Sequence, residues 1–222
     1  MIQVRIRIAY ADPDFLKPHE EHIGERVKEV RDSILKKRIL RKPLIADERT
    51  GVILDGTHRY QALREIGVSR IPVVYVDYLS EEEIRLSGWI RIYVFNRRSI
   101  DILNKVVGIF SNISENLSIK RTRDSYIIRL ERGEPLIKIY RDISVMEKHD
   151  IVRENLSKVL FYTRIDSRMI SREPSIAIIP PILSKTDVLK AGLGKEPLPP
   201  KSTRHITILK RIELHSKIED LL

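Results

Sequence analysis

The chain has 222 residues, enough for one domain or two small ones with a substantial hydrophobic core. It contains no cysteine, which excludes disulfides, thiolate zinc sites and cysteine nucleophiles. Its 41 basic residues exceed its 31 acidic ones, and the formal net charge of +10 favours polyanionic ligands such as nucleotides, nucleic acid or phosphorylated metabolites. The charges are interspersed, however, and are equally typical of the ion-pair networks on thermophilic proteins.

The first half of the chain alternates strand-like and helix-like segments. Residues 2–8 alternate apolar and polar side chains and predict a strand rather than a signal peptide. Apolar residues at helical spacing predict a helix from about residue 20 to residue 38. The elements predicted after it are strands at 44–46, 52–54 and 71–76, and a helix from 57 to 66 that ends at Gly67.

The second half is predicted to mix strands and helices, with a helix beginning at Ser80–Glu83. The proline-rich loop 196–201 precedes a last extended segment. We expect an α+β protein with one domain at 1–79 and a second α/β lobe at 80–222. The other predicted elements are a strand at 89–95, a helix at 100–110, a hairpin of 126–130 with 136–140, a helix at 152–160, a strand at 175–179 and a helix at 186–191.

The segment Asp55–Arg59 falls where a predicted strand passes into a predicted helix. Gly56 permits a tight turn and a close approach to a ligand. The first turn of a helix offers unpaired N–H groups and partial positive charge, both of which suit a phosphate. His58 and Arg59 add donors, and Asp55 is placed to hold a magnesium ion beside bound phosphates. A simpler interpretation is that Asp55 caps the helix and Arg59 is a surface charge.

A family resemblance rests on this segment. Residues 53–63, with Gly67 and Ile71–Val73, resemble the nucleotide-binding core of the ParB/sulfiredoxin-like fold over roughly residues 3–78. Two further segments, Lys17–Glu20 and the tail 200–205 with its ending 218–222, are similar to the archaeal free L-serine kinases of the ParB-like family. Such enzymes transfer a phosphoryl group from ATP or ADP to free L-serine and make O-phospho-L-serine for cysteine biosynthesis.

The resemblance implies a role for each matching residue. Glu20 would be the catalytic base for the serine hydroxyl, and Asp55 would be catalytic and hold Mg²⁺ with the phosphates. Trp89 and His19 would contact the serine. The implied phosphate-binding residues are Gly56, Thr57, His58, Arg59, Ser202, Thr203, Arg204 and His205. The family's turn carries a histidine where this chain has Thr57, which leaves the choice between ATP and ADP open.

Each of these roles has a competing interpretation. Glu20 can be a first-turn acid that stabilises a helix dipole, and Glu21 is an equally acidic neighbour. Trp89, the only tryptophan, can be a core residue, and 202–205 can be a surface loop. The base-binding residues are not identified, although Lys42–Leu44 is a candidate.

Three other functions compete with a serine kinase. A ParB-like DNA-binding or partition factor would suit the charge, but a helix-turn-helix is expected after the nucleotide domain, where strands are predicted instead. A sulfiredoxin-type enzyme needs a reactive cysteine and is excluded. A kinase of another small hydroxylated metabolite stays open. We expect a cytoplasmic protein with no membrane partner, and the sequence does not indicate an oligomeric state.

Overall fold

The computed structural model describes residues 7–80, 84–96, 100–133, 135–165, 173–194 and 196–222. The chain divides into two units. The first unit comprises the residues up to Leu86 together with Ser184–Pro200 and His205–Leu222. The second unit comprises Ser87–Leu183 and Lys201–Arg204.

The first unit is built on a mixed five-stranded sheet with the order β1-β6-β4-β5-β2. Strands β1 and β6 are antiparallel, β4 runs parallel to β6, and β5 runs antiparallel to β4 and parallel to β2. The strands of this unit are β1 (Arg7–Ala11), β2 (Lys17–Pro18), β3 (Ile39–Leu40), β4 (Leu44–Asp47), β5 (Val52–Asp55), β6 (Ile71–Val76) and β14 (Ser216–Lys217).

Two helices pack together over this sheet, α1 (Gly24–Lys37) and α2 (Thr57–Ile66). The apolar residues of α1 that recur at helical spacing, among them Val27 and Ile34, are buried in the same core as Leu63 of α2. Gly67 caps helix α2, and its φ of 84° turns the chain so that the amide of Val68 donates back to the Leu63 carbonyl at 3.3 Å. The helices and strands predicted between residues 20 and 76 are therefore confirmed, except that α1 begins at Gly24 rather than near residue 20.

The C-terminal segments complete the first unit. Helix α6 (Lys185–Leu193) begins with a capping box between Ser184 and Asp187. Strand β14 pairs with β3, and Ile218 and Leu221 are buried in the core formed by α1, α2 and the sheet. The predicted division at residue 79/80 gave this tail to the second lobe. The observed units differ, because these apolar tail residues fill the core of the first unit.

The second unit has its own five-stranded sheet, with the order β11-β8-β12-β10-β9. Strands β10 and β12 are parallel and the other pairs are antiparallel. Three helices cover one face of the sheet, and Phe110 of the first of them is buried in the same core as Ile128 and Ile176 of the strands. The elements are β8 (Ile90–Phe95), β9 (Leu117–Arg121), β10 (Ser125–Leu130), β11 (Leu156–Tyr162) and β12 (Ser175–Ile179), with α3 (Ile100–Ser111), α4 (Leu136–Glu147) and α5 (Asp150–Asn155).

Two predictions in this unit are wrong. The hairpin of 126–130 with 136–140 does not form, because β10 pairs with β9 and residues 136–147 are helix α4, whose buried residues Ile139 and Ile143 lie on one helical face. The helix predicted at 152–160 ends at Asn155, and the β-branched and aromatic residues that follow pair with β8.

The remaining predictions fall at the margins of the units. Strands β7 (Arg85–Ser87) and β13 (Arg204–Ile206) each lie where the chain passes from one unit to the other. The extended segment predicted after residue 205 is interrupted by a 3-10 helix, Ile208–Arg211. Residues 2–6 and 81–83, where a strand and a helix start were predicted, lie outside the described residues.

Within the described ranges, none of the helices has the length and apolar character needed to cross a bilayer.

Candidate active site

The Asp55–Arg59 turn joins β5 to α2. Asp55 is the last residue of the strand, and Gly56 is the N-cap of the helix with a φ of 105°. The amide of Tyr60 donates to the Gly56 carbonyl at 2.8 Å and closes the first turn. The amides of Thr57, His58 and Arg59 precede this bond, in the part of a helix where N–H groups have no helical acceptor. The turn thus has the geometry of an anion-binding helix start.

Gly56 is required at this position for two reasons. Its positive φ lies in the region that side chains rarely adopt. A Cβ added there would lie 2.5 Å from Cδ2 of Leu44 and 2.8 Å from Nη2 of Arg59. A side chain at this position would therefore require Leu44 and the guanidinium of Arg59 to shift.

Two cations hold the carboxylate of Asp55. Nη2 of Arg59 donates to Oδ2 at 2.8 Å and also to the Pro43 carbonyl at 3.2 Å. Nζ of Lys210 lies 2.9 Å from Oδ1. Burial by itself would raise the pKa of Asp55, but Arg59 and Lys210 outweigh that effect, and the pKa is lowered. The carboxylate is therefore ionised and oriented.

Lys210 is a residue of the candidate site that the sequence did not reveal. It lies in the 3-10 helix at Ile208–Arg211, and its carbonyl accepts a hydrogen bond from Nζ of Lys42 at 3.1 Å. Because Lys210 lies 155 positions after Asp55, no local sequence pattern predicts that the two residues are in contact.

His58 links the start of α2 to the start of α1. Its Nε2 accepts a hydrogen bond from the amide of Ile23, the residue before α1, at 3.2 Å. Nε2 therefore carries no proton in this arrangement, and that atom is not the phosphate donor that the resemblance implies for His58. A phosphate contact through the rest of the residue stays a prediction.

Glu20 is held in place by the backbone on both sides of it. The amide of Leu198 donates to the His19 carbonyl, and the amide of Glu21 donates to the Leu198 carbonyl, each at 2.8 Å. The Glu20 side chain is 16% exposed, whereas Glu21 is exposed. Helix α1 begins four residues later and has Glu25 as its first-turn acid. The competing interpretation of Glu20 as a helix-dipole residue is therefore wrong.

His19 and His205 form a buried aromatic group with Tyr78. Nδ1 of His19 donates to the Ile53 carbonyl at 2.5 Å, and the His19 and His205 rings meet edge to face with centroids 5.3 Å apart. Nε2 of His205 is 2.8 Å from the Tyr78 hydroxyl. Burial, with a smaller contribution from His19, holds the pKa of His205 well below its usual value, so the ring is neutral. His205 braces the end of β5 rather than presenting a cation to phosphate.

The predicted residues of the second unit meet around Trp89. Its Nε1 donates to the Thr203 carbonyl at 2.8 Å. The guanidinium of Arg204 lies 4.6 Å from the centre of the indole ring, and Nζ of Lys201 lies 5.2 Å from it. Ser202 and Thr203 are buried. The interpretation of 202–205 as a surface loop is therefore wrong. The 201–204 segment packs against Trp89.

A cleft of about 620 Å³ opens beside the Asp55–Arg59 turn in the first unit. Arg59 and Lys42 line it, together with residues of α1 and of the 39–41 segment. Of the candidate base-binding residues 42–44, only Lys42 lines this cleft. The carbonyl of Pro43 accepts a hydrogen bond from Arg59, and Leu44 is buried. The volume is within the range of small-molecule sites.

The sequence resembles those of archaeal kinases along most of its length. No protein-family model matches the chain. It is 28% identical over 201 residues to a Sulfolobus acidocaldarius protein named ParB-like protein, with 90% of each chain covered. It is 24% identical over 219 residues to the ATP-dependent L-serine kinase of Staphylothermus marinus, which covers 88% of this chain and 83% of that one. It is 23% identical over 229 residues to the ADP-dependent L-serine kinase SerK of Thermococcus kodakarensis, covering 98% and 94%.

Solved structures show the same architecture. A free serine kinase variant in complex with ADP superimposes with a TM-score of 0.70 at 20% identity, over 97% of this chain and 94% of that one. The chain has the free serine kinase fold. SbnI from Staphylococcus aureus, solved with a C-terminal truncation, shares this fold with a TM-score of 0.75 at 16% identity, over 96% and 88%. The predicted resemblance and the α+β fold class are confirmed.

Within the free serine kinase fold, each unit gathers its own share of the predicted residues. The first unit brings Glu20, His19 and His205 close to the strand that ends in the Asp55–Arg59 turn, and adds Lys210. The second unit brings Trp89 together with the 202–204 residues. The described residues contain no cluster of three histidine, aspartate or glutamate side chains that would hold a metal without further ligands.

Proposed function

We propose that the protein is a kinase that transfers a phosphoryl group from ATP or ADP to the hydroxyl of free L-serine, giving O-phospho-L-serine. One observation carries the proposal. The chain that forms the anion-binding turn at Asp55–Arg59 is also similar, over 88% and 98% of its length, to proteins named ATP- and ADP-dependent L-serine kinases. Use of the product for cysteine biosynthesis is a prediction from the resemblance.

The nucleotide phosphates are assigned to the Asp55–Arg59 turn. Phosphoryl transfer depends mainly on positioning and on neutralising charge, which the first-turn amides, Arg59 and Lys210 supply together. The buried Nε of Arg59 has no hydrogen-bond partner in the described part of the chain. A buried donor of this kind calls for an acceptor from outside the chain, and a phosphate oxygen fits.

Asp55 is the residue that would hold Mg²⁺. Magnesium in such sites takes one or two carboxylates and completes its shell with water and substrate phosphates, which agrees with the single carboxylate here. The lowered pKa of Asp55 keeps it an anionic oxygen ligand. When bound, the metal would neutralise phosphate charge. Because both oxygens already face a cation, the metal is expected to arrive with the nucleotide rather than alone.

Glu20 is assigned as the general base for the serine hydroxyl. A carboxylate within hydrogen-bond reach raises the reactivity of a poor nucleophile. The bonds to Leu198 fix the backbone around Glu20, and Nε2 of His19 lies 3.7 Å from Oε1 of Glu20. That separation exceeds a hydrogen bond between the two atoms, and the predicted contact of His19 with serine stays a prediction.

Two further contacts complete the proposal. The nucleoside is assigned to the cleft lined by Lys42 and Arg59, because the cleft adjoins the turn that would hold the phosphates. The serine contact of Trp89 and the phosphoryl contacts of Ser202, Thr203 and Arg204 remain predictions from the resemblance.

The test is to incubate the protein with Mg²⁺, L-serine and either ATP or ADP and to follow the products by phosphorus NMR. A phosphoserine signal is expected, and the productive nucleotide names the donor. L-threonine and L-homoserine in place of serine measure acceptor specificity. Nucleotide consumption without phosphoserine would overturn serine as the acceptor, and absence of turnover with both nucleotides would overturn the kinase.

A second candidate is a ParB-like DNA-binding factor, which is favoured by the name of the Sulfolobus acidocaldarius relative and by the net charge of +10. Against it, the residues that follow the first unit's sheet form a five-stranded sheet with helices rather than the expected helix-turn-helix. Salt-sensitive binding of duplex DNA in the presence of CTP, measured on a protein without kinase turnover, would favour this candidate.

A further inference from the structure

Arg91 is a buried cation in the sheet of the second unit. It lies on β8 with 2% of its side chain exposed. Its Nη2 donates to the carbonyl of Lys201 at 3.2 Å, and its Nε is 3.3 Å from Oε1 of Glu147. The guanidinium also lies 5.9 Å from the centre of the Phe161 ring.

Stability does not explain this cation. In the described residues, Nε and Nη1 of Arg91 have no aligned hydrogen-bond partner. Burying an arginine with incompletely satisfied donors costs free energy, and buried ion pairs are often replaceable by apolar residues without loss of stability. What Arg91 does supply is a directed bond to one backbone carbonyl, that of Lys201.

The backbone at Lys201 is strained. Its φ is 63°, in the left-handed region that a residue with a Cβ enters only at a cost. Such conformations persist where the surroundings determine them, and they cluster at functional sites. Two hydrogen bonds hold the backbone in this conformation. Arg91 donates to the carbonyl of Lys201, and Trp89 donates to the carbonyl of Thr203. Together they fix the short stretch that ends in Arg204.

Glu147 and Tyr93 hold Arg91 itself. The Tyr93 hydroxyl donates to Oε1 of Glu147 at 2.6 Å. Burial, with the charge of Glu147, raises the pKa of Tyr93 well above its usual value, so the hydroxyl keeps its proton and remains a donor. The carboxylate is thereby oriented toward the guanidinium. The chain of contacts runs from Tyr93 through Glu147 and Arg91 to Lys201.

We propose that Arg91 is a positioning residue that sets the conformation of the 201–204 segment and thereby places Thr203 and Arg204 for phosphoryl transfer. The catalytic part rests on the proposed kinase function, whereas the conformational part does not. Lysine at position 91 keeps the charge and the pairing with Glu147. Its single ammonium cannot engage Glu147 and the Lys201 carbonyl as a planar fork does.

The only tryptophan of the chain makes this testable, because Trp89 lies in contact with the 201–204 segment and is half-buried. In Arg91→Lys, we expect tryptophan emission to shift to the red and acrylamide quenching to increase. We expect kcat to fall about 10- to 100-fold, as misplacement of substrate-positioning groups does, with nucleotide affinity unchanged. Arg129→Lys, the same change at an exposed position of β10, is the matched control.

Unchanged fluorescence in a folded Arg91→Lys protein would overturn the proposal. Altered fluorescence with unchanged kcat would overturn its catalytic part. If the wild-type protein lacks kinase turnover, the proposed function fails while the fluorescence still decides the positioning role. Should Arg91→Lys fail to fold, Glu147→Gln keeps the acceptor for Tyr93 and loses the charge, and it is expected to shift the tryptophan emission in the same direction.

Discussion

The Asp55–Arg59 turn and the 201–204 segment carry most of the predicted phosphate contacts, and they are built in opposite ways. The turn is built from a strand end, Gly56 and one turn of helix, and one of its two ion pairs joins residues four positions apart, although Lys210 supplies the other. The 201–204 segment has no regular structure before Arg204 and is held by side chains more than 100 residues away, Arg91 and Trp89.

Because the two segments are built differently, we expect substitutions to impair them in different ways. A backbone turn formed by its own helix start keeps its shape when most distant residues change, so substitutions there act mainly on anion binding. A segment held by distant side chains changes shape when any of them changes, so substitutions far from the chemistry act on rate. The predictions that follow test this distinction in the first unit, and the Arg91 experiment tests it in the second.

Replacing Glu20 by glutamine is expected to have the largest effect. The variant keeps the backbone bonds to Leu198 but loses the base, so kcat should fall about 10²- to 10⁴-fold while nucleotide affinity measured by calorimetry stays unchanged. Glu21→Gln, a change at the exposed neighbour, is the control and should behave like wild type. Normal turnover in Glu20→Gln would remove Glu20 from the mechanism.

Replacing Arg59 by alanine should act on binding. The variant loses the guanidinium that contacts Asp55 and lines the cleft, so nucleotide affinity should fall by about 1.5–3 kcal/mol, the worth of a hydrogen bond to a charged group. Calorimetric titration with ATP and ADP measures it. The matched variant Arg64→Ala removes an exposed arginine of the same helix that pairs with Asp14, and it should leave affinity unchanged. Equal affinities would contradict the assignment of phosphates to the turn.

Replacing Gly56 by alanine separates packing from backbone strain. Gly56 and Gly67 both have positive φ, but a Cβ at Gly67 meets nothing within 4 Å whereas one at Gly56 collides with Leu44 and Arg59. Both variants should have a lower free energy of unfolding, by roughly 1–3 kcal/mol, because alanine is strained at a positive φ. Gly56→Ala should lose more stability than Gly67→Ala, because of the added collisions, and should also bind nucleotide more weakly. Urea unfolding and calorimetry test this. Indistinguishable behaviour of the two variants would show that the turn tolerates a side chain.

The smallest expected effect is a pH dependence from His205, where the chain returns to the first unit. Because its pKa is lowered below the 6.5 of the unfolded chain, only the unfolded state takes up a proton between the two values. Stability should therefore fall as pH drops below about 6.5, by at most about 1.4 kcal/mol per pH unit. His205→Gln should unfold with a flatter pH dependence in urea titrations at pH 5, 6 and 7. An equally steep dependence would mean that His205 is not the group responsible.

The sequence was informative where structure is local. The spacing of Val27 and Ile34 gave the helix, and the order of residues from Asp55 to Arg59 gave the turn, because both depend on neighbours within a few positions. Leu136–Tyr140 alternates well enough for a strand and also fits a helix, and only packing against the core of the second unit decides for the helix.

The rest of the candidate site depends on contacts that no local pattern encodes. Glu20 and Glu21 are the same residue type in adjacent positions, and only the structure distinguishes them, because the Glu20 side chain is mostly buried and that of Glu21 is exposed. Lys210 reaches Asp55, and Arg91 reaches Lys201, across more than 100 residues. Similarity to a family reveals such residues only where its motifs extend to them, and the two matching segments of the tail, 200–205 and 218–222, do not include Lys210.

The division of the first unit between the two ends of the sequence has a consequence for its biosynthesis. Ile218 and Leu221 belong to the core laid down by α1, α2 and the first sheet. At about 5–20 residues per second, a ribosome needs on the order of ten seconds after Leu86 to deliver them. During that interval the strands and helices made first expose apolar surface that only the tail can cover. Molecular chaperones are therefore expected to bind the nascent first unit until Ile218 and Leu221 have been made.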